Sequence, residues 1–225
     1  MIDLIYCAGG NPRLSRLAAD TGWYLGVRSG KSTDGYPIHF VDVDYQRPNF
    51  EQHLAIVGRL RPRYATVPDL SEKQVHADDI DRAVRQAQQL SNYCEVVLLV
   101  PKLPGQTALL PEHLAIGYSV PTSYGGAQYP LWELTGRKVH ILGGSPHKQM
   151  EVYRYVQAIG TILSVDSNMA MKLATRHARY WDGGKWVKHP YVGRGARDLY
   201  LDCMRRSLCN IREAWIALQM REVQA

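Results

Sequence analysis

Short apolar segments recur along the whole chain, and each is followed by a stretch with a different periodicity. The segments are rich in Val, Ile, Leu and Tyr, a composition typical of strands that are buried on both faces. We therefore predict strands over residues 4–7, 23–27, 38–43, 64–67, 95–100, 113–118, 138–142 and 161–165.

The stretches between these segments place apolar residues at helical spacing. Asn11 and Pro12 form a helix start signal, and Gly22 ends that helix. By the same reasoning a second helix starts at Pro48 and Asn49 and ends before Pro62. Further helices are predicted over about 72–90, over 146–158, from residue 169 onwards and over about 196–219, with one helical turn over 130–134.

The repeated order of strand and helix is the signature of a parallel α/β protein, either a doubly wound open sheet or a closed barrel. No GxGxxG or GxxxxGK[ST] fingerprint follows any strand, and polar residues follow the strands around the whole set. Both observations favour the barrel. We predict a single domain over residues 1–225, a compact (β/α)8-type barrel, complete or incomplete, with a long C-terminal helix.

Composition fits this picture, since 45% of the 225 residues are hydrophobic and 21% are charged. No apolar run approaches the roughly 18 residues that a membrane span needs, and the first residues lack the basic segment of a signal peptide. The four cysteines have no CxxC spacing, and the eight histidines form no HExxH pattern. We therefore expect a cytoplasmic protein without a membrane segment, metal site or cofactor.

The net charge of +6 permits binding to phosphates. Its distribution is more informative, because basic and aromatic residues alternate in a Gly-rich stretch near the C-terminus, as on surfaces that hold nucleic-acid backbone and stack bases. A solvated loop pinned by aromatic packing is the alternative. The residues concerned are Arg176, Arg179, Lys185, Lys188, Arg194 and Arg197, interleaved with Tyr180, Trp181, Trp186 and Tyr191.

The carboxyl ends of barrel strands meet at one mouth, where α/β barrels carry their chemistry. The residues at these ends are Asp42, Asp44, Asp69, Lys102, Tyr118, Ser119, Gly143, Gly144 and Asp166. Carboxylates around one pocket suit glycosidic chemistry, in which one stabilises a developing positive charge and another handles protons. Glycines at the pocket would allow a flat nucleobase to approach the backbone closely.

These residues also have alternative interpretations that involve no catalytic role. Asp166 could cap the helix that follows it, and Asp69 could cap the helix predicted to begin near residue 72. Asp42 and Asp44 could form a solvated strand face. The run from Gly143 to Pro146 could be a plain turn or a phosphate-holding loop at a helix N-terminus.

Three motifs resemble the tRNA-guanine transglycosylase superfamily in order and spacing: AIGYSV at 115–120, HILGGSPHKQM at 140–150 and SVDSNMAMKLATR at 164–176. They are also similar to small phage- and defence-associated proteins that share this barrel and act on DNA bases. The resemblance implies that Asp166 is the nucleophile and Asp69 the base-facing carboxylate, with Gly117, Tyr118 and Ser119 lining the base. The zinc cluster, the strand-end DSGGF-type motif and the tRNA-binding domain of the superfamily are missing. The resemblance therefore does not imply specificity for guanine or a tRNA substrate.

These observations lead to the expectation of a DNA glycosylase that removes a modified, flipped-out base and leaves an abasic site. The resemblance implies a role in defence against phages. Asp42, Asp44, Gly143 and Gly144 complete the expected base pocket, and the DNA backbone is expected to contact Ser145, Lys148, Arg176, Arg179, Lys185 and Lys188. The alternatives are base exchange on DNA or tRNA, a non-catalytic nucleic-acid-binding module, and a metabolic barrel enzyme acting on a phosphorylated small molecule.

Overall fold

Eight parallel strands close into a barrel in the computed structural model, which describes residues 1–8, 10–71, 73–123, 125–192 and 198–223. Each strand pairs with the next along the chain, and the last pairs with the first. The predicted barrel is therefore confirmed. The strands are β1 (Asp3–Ala8), β2 (Tyr24–Arg28), β3 (Phe40–Asp42), β4 (Tyr64–Thr66), β5 (Val96–Leu99), β6 (Ala115–Ser119), β7 (Lys138–Leu142) and β8 (Thr161–Ser167).

The helical layer around the barrel is uneven. Helices follow β1, β3, β4, β7 and β8, whereas in the described residues β2 is followed by a loop, and β5 and β6 by 3₁₀ turns at Thr107–Leu109 and Leu131–Leu134. The predicted long C-terminal helix is present. The helices are α1 (Pro12–Asp20), α2 (Phe50–Leu60), α3 (Ala77–Leu90), α4 (Pro146–Gln157), α5 (Met169–His177) and α6 (Leu199–Val223).

One predicted helix start differs from the structure. Helix α3 begins at Ala77 rather than near residue 72, because its acidic pair Asp78 and Asp79 occupies the first turn, where negative charge is favoured by the helix dipole. Val75, which lies inside the predicted range, precedes the helix and is exposed. The predicted starts at Glu72 for this helix and at Ala196 for α6 lie outside the described residues.

The basic, aromatic stretch after α5 is not a plain loop. It forms an antiparallel hairpin of β9 (Arg179–Trp181) and β10 (Trp186–Lys188). The backbone of Trp181 is tied to α6, since its N–H donates to Ser207 Oγ at 3.0 Å and its carbonyl accepts from Asn210 Nδ2 at 2.6 Å. His189, just after the hairpin, contacts Asp202 of α6 at 2.7 Å. Helix α6 therefore anchors the hairpin to the barrel.

Side chains alternate between the barrel axis and the helical layer along each strand. A small inner cluster of Ile5, Phe40, Tyr64, Leu98 and Ala115 fills the axis. A much larger cluster lies between strands and helices. The inner cluster therefore forms the floor beneath the residues that face inward at the carboxyl ends of the strands.

One strand breaks the alternation. In the pairing of β7 with β8, Val139 lies opposite Ile162, but His140 lies opposite Ser164, so Leu163 is an extra residue. This β-bulge places both Leu163 and Ser164 on the inner side, and the residues that follow keep the shifted phase. Asp166 consequently faces the barrel axis.

None of the helices within the described ranges combines the length and the apolar character that crossing a membrane requires. All four cysteines are free thiols.

Replacing Gly26 by Ala should destabilise the barrel by about 2 kcal/mol, because the added Cβ overpacks the axis. That Cβ would lie 2.7 Å from Cys7 Sγ and 3.0 Å from both Ile5 Cγ2 and Phe40 Cδ1. Urea-induced unfolding measures the change. Gly58→Ala is the matched control, since its Cβ meets only ordinary contacts at 3.6 Å or more inside α2, and it should be neutral or stabilising. Equal midpoints for the two variants would contradict the expected crowding.

Candidate active site

Asp166 lies inside β8 rather than after it, and its carboxylate is held by surrounding donors. Oδ1 accepts from the backbone N–H of Gly143 at 3.1 Å and contacts Nε2 of His140 at 3.2 Å. The thiol of Cys7 also hydrogen bonds to this carboxylate. Helix α5 uses another group at its start, since Met169 N–H donates to Ser167 Oγ at 3.1 Å. The helix-capping interpretation of Asp166 is therefore wrong.

The loop after β7 is shaped to deliver the Gly143 N–H to Asp166. Gly143 and Gly144 have φ of +63° and +84°, and a Cβ on Gly144 would lie 2.7 Å from Val120 Cγ1. Gln149 in α4 donates to the carbonyls of both Gly143 and Asp166 at 2.7 Å. The two glycines, predicted to lie under the base, thus have a defined structural role in supporting Asp166.

Beneath Asp166 lies a polar pair that the sequence interpretation did not include. His140 Nδ1 is 2.6 Å from Ser164 Oγ, and both residues are completely buried. Ser, His and Asp in this order resemble a hydrolase triad, but a nucleophilic serine must reach the substrate. Ser164 is buried, whereas Asp166 is 8% exposed. The residue that can meet a substrate is therefore Asp166.

Asp42 faces the same mouth from β3. Its Oδ1 accepts from Thr66 Oγ1 at 2.8 Å, and that hydroxyl in turn accepts from Val43 N–H at 2.8 Å. Burial, and secondarily the nearby charge of Asp166, raise the pKa of Asp42 to about 7, although the Thr66 hydrogen bond acts in the opposite direction. Asp42 is thus largely protonated below about pH 7 and can donate that proton. The solvated-face interpretation of Asp42 is wrong.

Asp69 and Asp44 each have a cationic partner. Asp69 Oδ2 is 2.8 Å from Nζ of Lys102, whose side chain is only 5% exposed, so Asp69 does not cap α3. Asp44 Oδ1 lies 3.5 Å from Nη1 of the inward-facing Arg28. Lys102 also lowers the pKa of Asp42 electrostatically, which indicates that the Asp69–Lys102 pair borders the same pocket. These pairs supply compensating charge at the mouth.

Cys7 is a site residue that the sequence pattern did not single out. Burial, followed by the charges of Asp166 and Asp42, raises the pKa of its thiol, so the sulfur remains protonated and acts as a donor. Its position could have been found by alternation, because Cys7 lies two residues after the inward-facing Ile5. His140 could have been found as a polar residue within an otherwise buried strand.

The three residues predicted to line the base do not share one side of β6. Tyr118 points outward and packs edge-on against Tyr129, with ring centroids 5.6 Å apart. The prediction that Tyr118 lies at the mouth is wrong, because adjacent residues of a strand face opposite sides. Gly117 faces inward but is buried against Leu142. Ser119 alone of the three is both inward-facing by alternation and partly exposed.

The hairpin lies beside the loop that follows β7. The ring of His147 packs on Trp181 with centroids 4.7 Å apart, and its Nε2 contacts the carbonyl of Gly184 in the hairpin turn. Across the hairpin, Arg179 is directly opposite Lys188. The basic residues of the hairpin therefore lie near the mouth rather than on a remote face.

The remaining residues that were predicted to contact the DNA backbone differ in their protein contacts and in their exposure. Ser145 caps α4 by accepting from Lys148 N–H at 3.5 Å, and Lys148 Nζ donates to the carbonyl of Pro121 at 3.2 Å. Arg176, Lys185 and Lys188 are exposed, and Arg179 is half-buried. The predicted contributions of Arg194 and Arg197 fall outside the described residues.

A surface groove of about 1010 Å³ lies elsewhere, between the connections on either side of β6. Two of its ionisable side chains already have backbone partners: Arg137 donates to the carbonyls of Leu110, Pro111 and Leu114, and Glu133 accepts from Gly105 N–H at 3.0 Å. We place the candidate site at the barrel mouth because the closely spaced inward-facing carboxyl groups are there.

A parallel barrel with inward-facing aspartates at the carboxyl ends of its strands defines the class, a (β/α)8-type barrel protein with a carboxylate-lined mouth. The chain belongs to the family of unknown function DUF6610, which matches residues 18–216. None of the curated proteins matches it. Within the part of the chain that the structure describes, no group of three or more His, Cys, Asp or Glu side chains could hold a metal ion.

Replacing Asp42 by Asn should stabilise the protein at pH 8 by about 4 kcal/mol, with little gain at pH 4. In the folded state Asp42 stays protonated up to about pH 7, whereas the unfolded chain ionises it near 3.8. The wild-type protein therefore loses stability as the pH rises between these values, and the Asn variant does not. Thermal unfolding of both proteins from pH 4 to 8 measures this difference, and a gain that does not vary with pH would contradict it.

Proposed function

We propose that the protein is a DNA glycosylase, which hydrolyses the N-glycosidic bond of a modified nucleobase and leaves an abasic site. The observation that carries this proposal is the contrast between two aspartates at one mouth. Asp166 is surrounded by hydrogen-bond donors, whereas Asp42 keeps its proton up to about pH 7. Titratable groups whose environments separate their proton affinities are a general mark of acid and base roles.

In the proposed reaction the bond between C1′ and the base nitrogen breaks, and its electron pair leaves with the base. Asp42 donates a proton to the departing base, and Asp166 stabilises the positive charge on the sugar electrostatically or covalently. Water then adds to C1′, and its proton returns to Asp42. We assign the proton donation to Asp42 rather than to Asp69, because Asp69 is already paired with Lys102.

The target nucleotide would leave the duplex, or be presented in a single strand, to reach Asp166. The charges of the hairpin favour DNA as the partner. Like charges directly opposite each other on paired strands destabilise a hairpin, and Arg179 opposite Lys188 is such a pair. A bound phosphate between them would relieve this repulsion, and the hairpin's proximity to the mouth would couple backbone binding to base capture.

Two observations favour nucleic acid over a phosphorylated metabolite. The Gly143 N–H is directed at Asp166, and Ser145 Oγ caps α4, so neither points freely to a phosphate at this helix start. Excision is preferred over base exchange, because water is the default acceptor. The proposed setting is the cytoplasm, where four free thiols stay reduced, and the proposed biological role is defence against phages.

The test is incubation of the protein with single-stranded and duplex oligonucleotides that carry unmodified, methylated, hydroxymethylated or deazapurine bases. Released base is identified by mass spectrometry, and abasic sites are detected with an aldehyde-reactive probe. Release of base with matching abasic sites supports the glycosylase. Release only when a free base is added would indicate exchange, and binding without release would indicate a non-catalytic module.

Asp166→Asn should abolish base release by a factor on the order of 10³ or more while the thermal midpoint hardly changes. Asn keeps the shape and an acceptor oxygen for Gly143 but lacks the charge that stabilises the sugar cation. DNA affinity should hold or rise slightly, because a negative charge near the phosphates is removed. Asp20→Asn, at an exposed position in α1, is the matched control and should be fully active. An active Asp166→Asn protein would remove the central residue of the proposal.

DNA binding should weaken steeply with salt, because Lys and Arg contacts release condensed counterions. Replacing Arg176, Arg179, Lys185 and Lys188 by Ala should reduce the slope of log K against log [salt] by about 2–4. The control removes the same charge elsewhere, with Arg16, Arg59, Arg85 and Lys138 replaced by Ala. Fluorescence anisotropy with a labelled oligonucleotide measures both slopes. If the two quadruple variants lose the same slope, the hairpin has no special role.

A further inference from the structure

The carboxylate of Asp166 is supported from below by two side chains that no substrate can touch. His140 and Ser164 have no exposed surface, and they link to Asp166 in one line, from Ser164 Oγ to His140 Nδ1 at 2.6 Å and from His140 Nε2 to Asp166 Oδ1 at 3.2 Å. We propose that His140, locked by Ser164, is a positioning residue that fixes the orientation of the Asp166 carboxylate. This inference rests on the proposed function for its catalytic consequence.

The hydrogen-bond roles along this line follow from the chemistry of the groups. An ionised carboxylate only accepts, so the Nε2 that faces it must donate. In the neutral imidazole the other nitrogen, Nδ1, is then an acceptor, and the hydroxyl of Ser164 can donate to it. Ser164 thereby selects the tautomer that suits Asp166. Without that hydroxyl the ring could protonate Nδ1 instead and turn a lone pair towards Oδ1.

The two nitrogen donors act on the same oxygen of Asp166. His140 Nε2 and Gly143 N–H both contact Oδ1, one from inside the barrel and one from the loop after β7. Together they fix the rotation of the carboxylate, with the Cys7 thiol as a further donor. Oδ2 is therefore the oxygen that would meet the sugar carbon, and a displacement of this carboxylate of about 1 Å can cost on the order of 10²-fold in rate.

The surroundings hold the imidazole itself in place. The ring centroid of Phe40 lies 4.9 Å from that of His140, and the ring centroid of Tyr64 lies 6.0 Å from it. The β-bulge at Leu163 brings Ser164 onto the inner side, opposite His140 in the strand pairing. Any buried histidine needs a partner on each ring nitrogen, as His53 has in Ser29 Oγ and the Thr66 carbonyl. His140 differs in that one of its partners is the inward-facing carboxylate of Asp166.

The first experiment measures the tautomer in the protein alone. Two-dimensional NMR of ¹⁵N-histidine-labelled protein reports which ring nitrogen carries the proton, and comparison with His140→Gln assigns the resonances. We expect wild-type His140 to be protonated at Nε2 with Nδ1 in the acceptor range. Ser164→Ala should populate the second tautomer. Identical ¹⁵N chemical shifts of His140 in wild type and Ser164→Ala would contradict the proposal that Ser164 selects its tautomer.

The second experiment measures single-turnover base release and DNA affinity on the oligonucleotide from which wild type releases most base. Ser164→Ala should slow release by about 10-fold and His140→Leu by about 100-fold, with affinity unchanged within about 2-fold. His140→Gln, which keeps an amide donor near the Nε2 position, should recover about 10-fold over His140→Leu. Full activity of Ser164→Ala, or no difference between Gln and Leu, would overturn the positioning role.

The failure of this inference differs from the failure of the proposed function. If Asp166→Asn releases base like wild type, the glycosylase mechanism fails whatever the His140 variants do. If Asp166→Asn is inactive while Ser164→Ala and His140→Leu keep full rates, the mechanism stands and only the positioning role fails. Circular dichroism and the thermal midpoint show whether each variant is folded. Ser164→Ala removes a single oxygen, so it tests the lock even if His140→Leu does not fold.

Discussion

Two carboxyl groups lie within electrostatic reach of each other at a mouth that is largely closed to water. Burying a charge is costly unless donors or counter-charges compensate it, and burying two like charges together costs more. The structure meets this constraint by treating the two groups differently: Asp166 receives donors from a loop, a histidine and a thiol, and Asp42 keeps its proton. The glycine loop after β7, the inward-facing Cys7 and the pairing of buried Lys102 with exposed Asp69 all help to compensate charge at this mouth.

The contacts that support Asp166 are continued by further contacts outside the mouth of the barrel. The loop that serves Asp166 begins α4, and α4 carries the His147 ring that packs on the hairpin. The hairpin in turn depends on α6 through Ser207 and Asn210. The long C-terminal helix is therefore not a peripheral addition to the barrel. It holds the basic surface beside the catalytic candidates, so backbone binding and base chemistry would act on the same nucleotide.

The barrel could be predicted because its information is local: each buried strand and most helix starts are recognisable from a few neighbouring residues, although the start of α3 was placed too early. The lining of the mouth was harder, since strand ends near Asp42, Asp69 and Asp166 identify an edge but not a facing direction. Tyr118 was misplaced because alternation turns it outward, and His140 and Cys7 were missed because polar residues inside strands look structural. Their role depends on partners distant in sequence, such as Ser164 for His140, and on a bulge that no local pattern announces.

That bulge gives the site an unusual dependence on chain length. Removing the extra residue Leu163 would only restore regular pairing and would leave Ser164 and Asp166 facing inward. Because strand side chains alternate with a period of two, removing Val165 after the bulge would instead turn Asp166 to the helical side. The sequence of the motif would remain almost intact, yet the carboxylate would leave the mouth. In an alignment of relatives, a one-residue gap at Val165 would mark a chain that keeps the barrel and lacks the proposed chemistry, a distinction that residue identity at Asp166 alone would conceal.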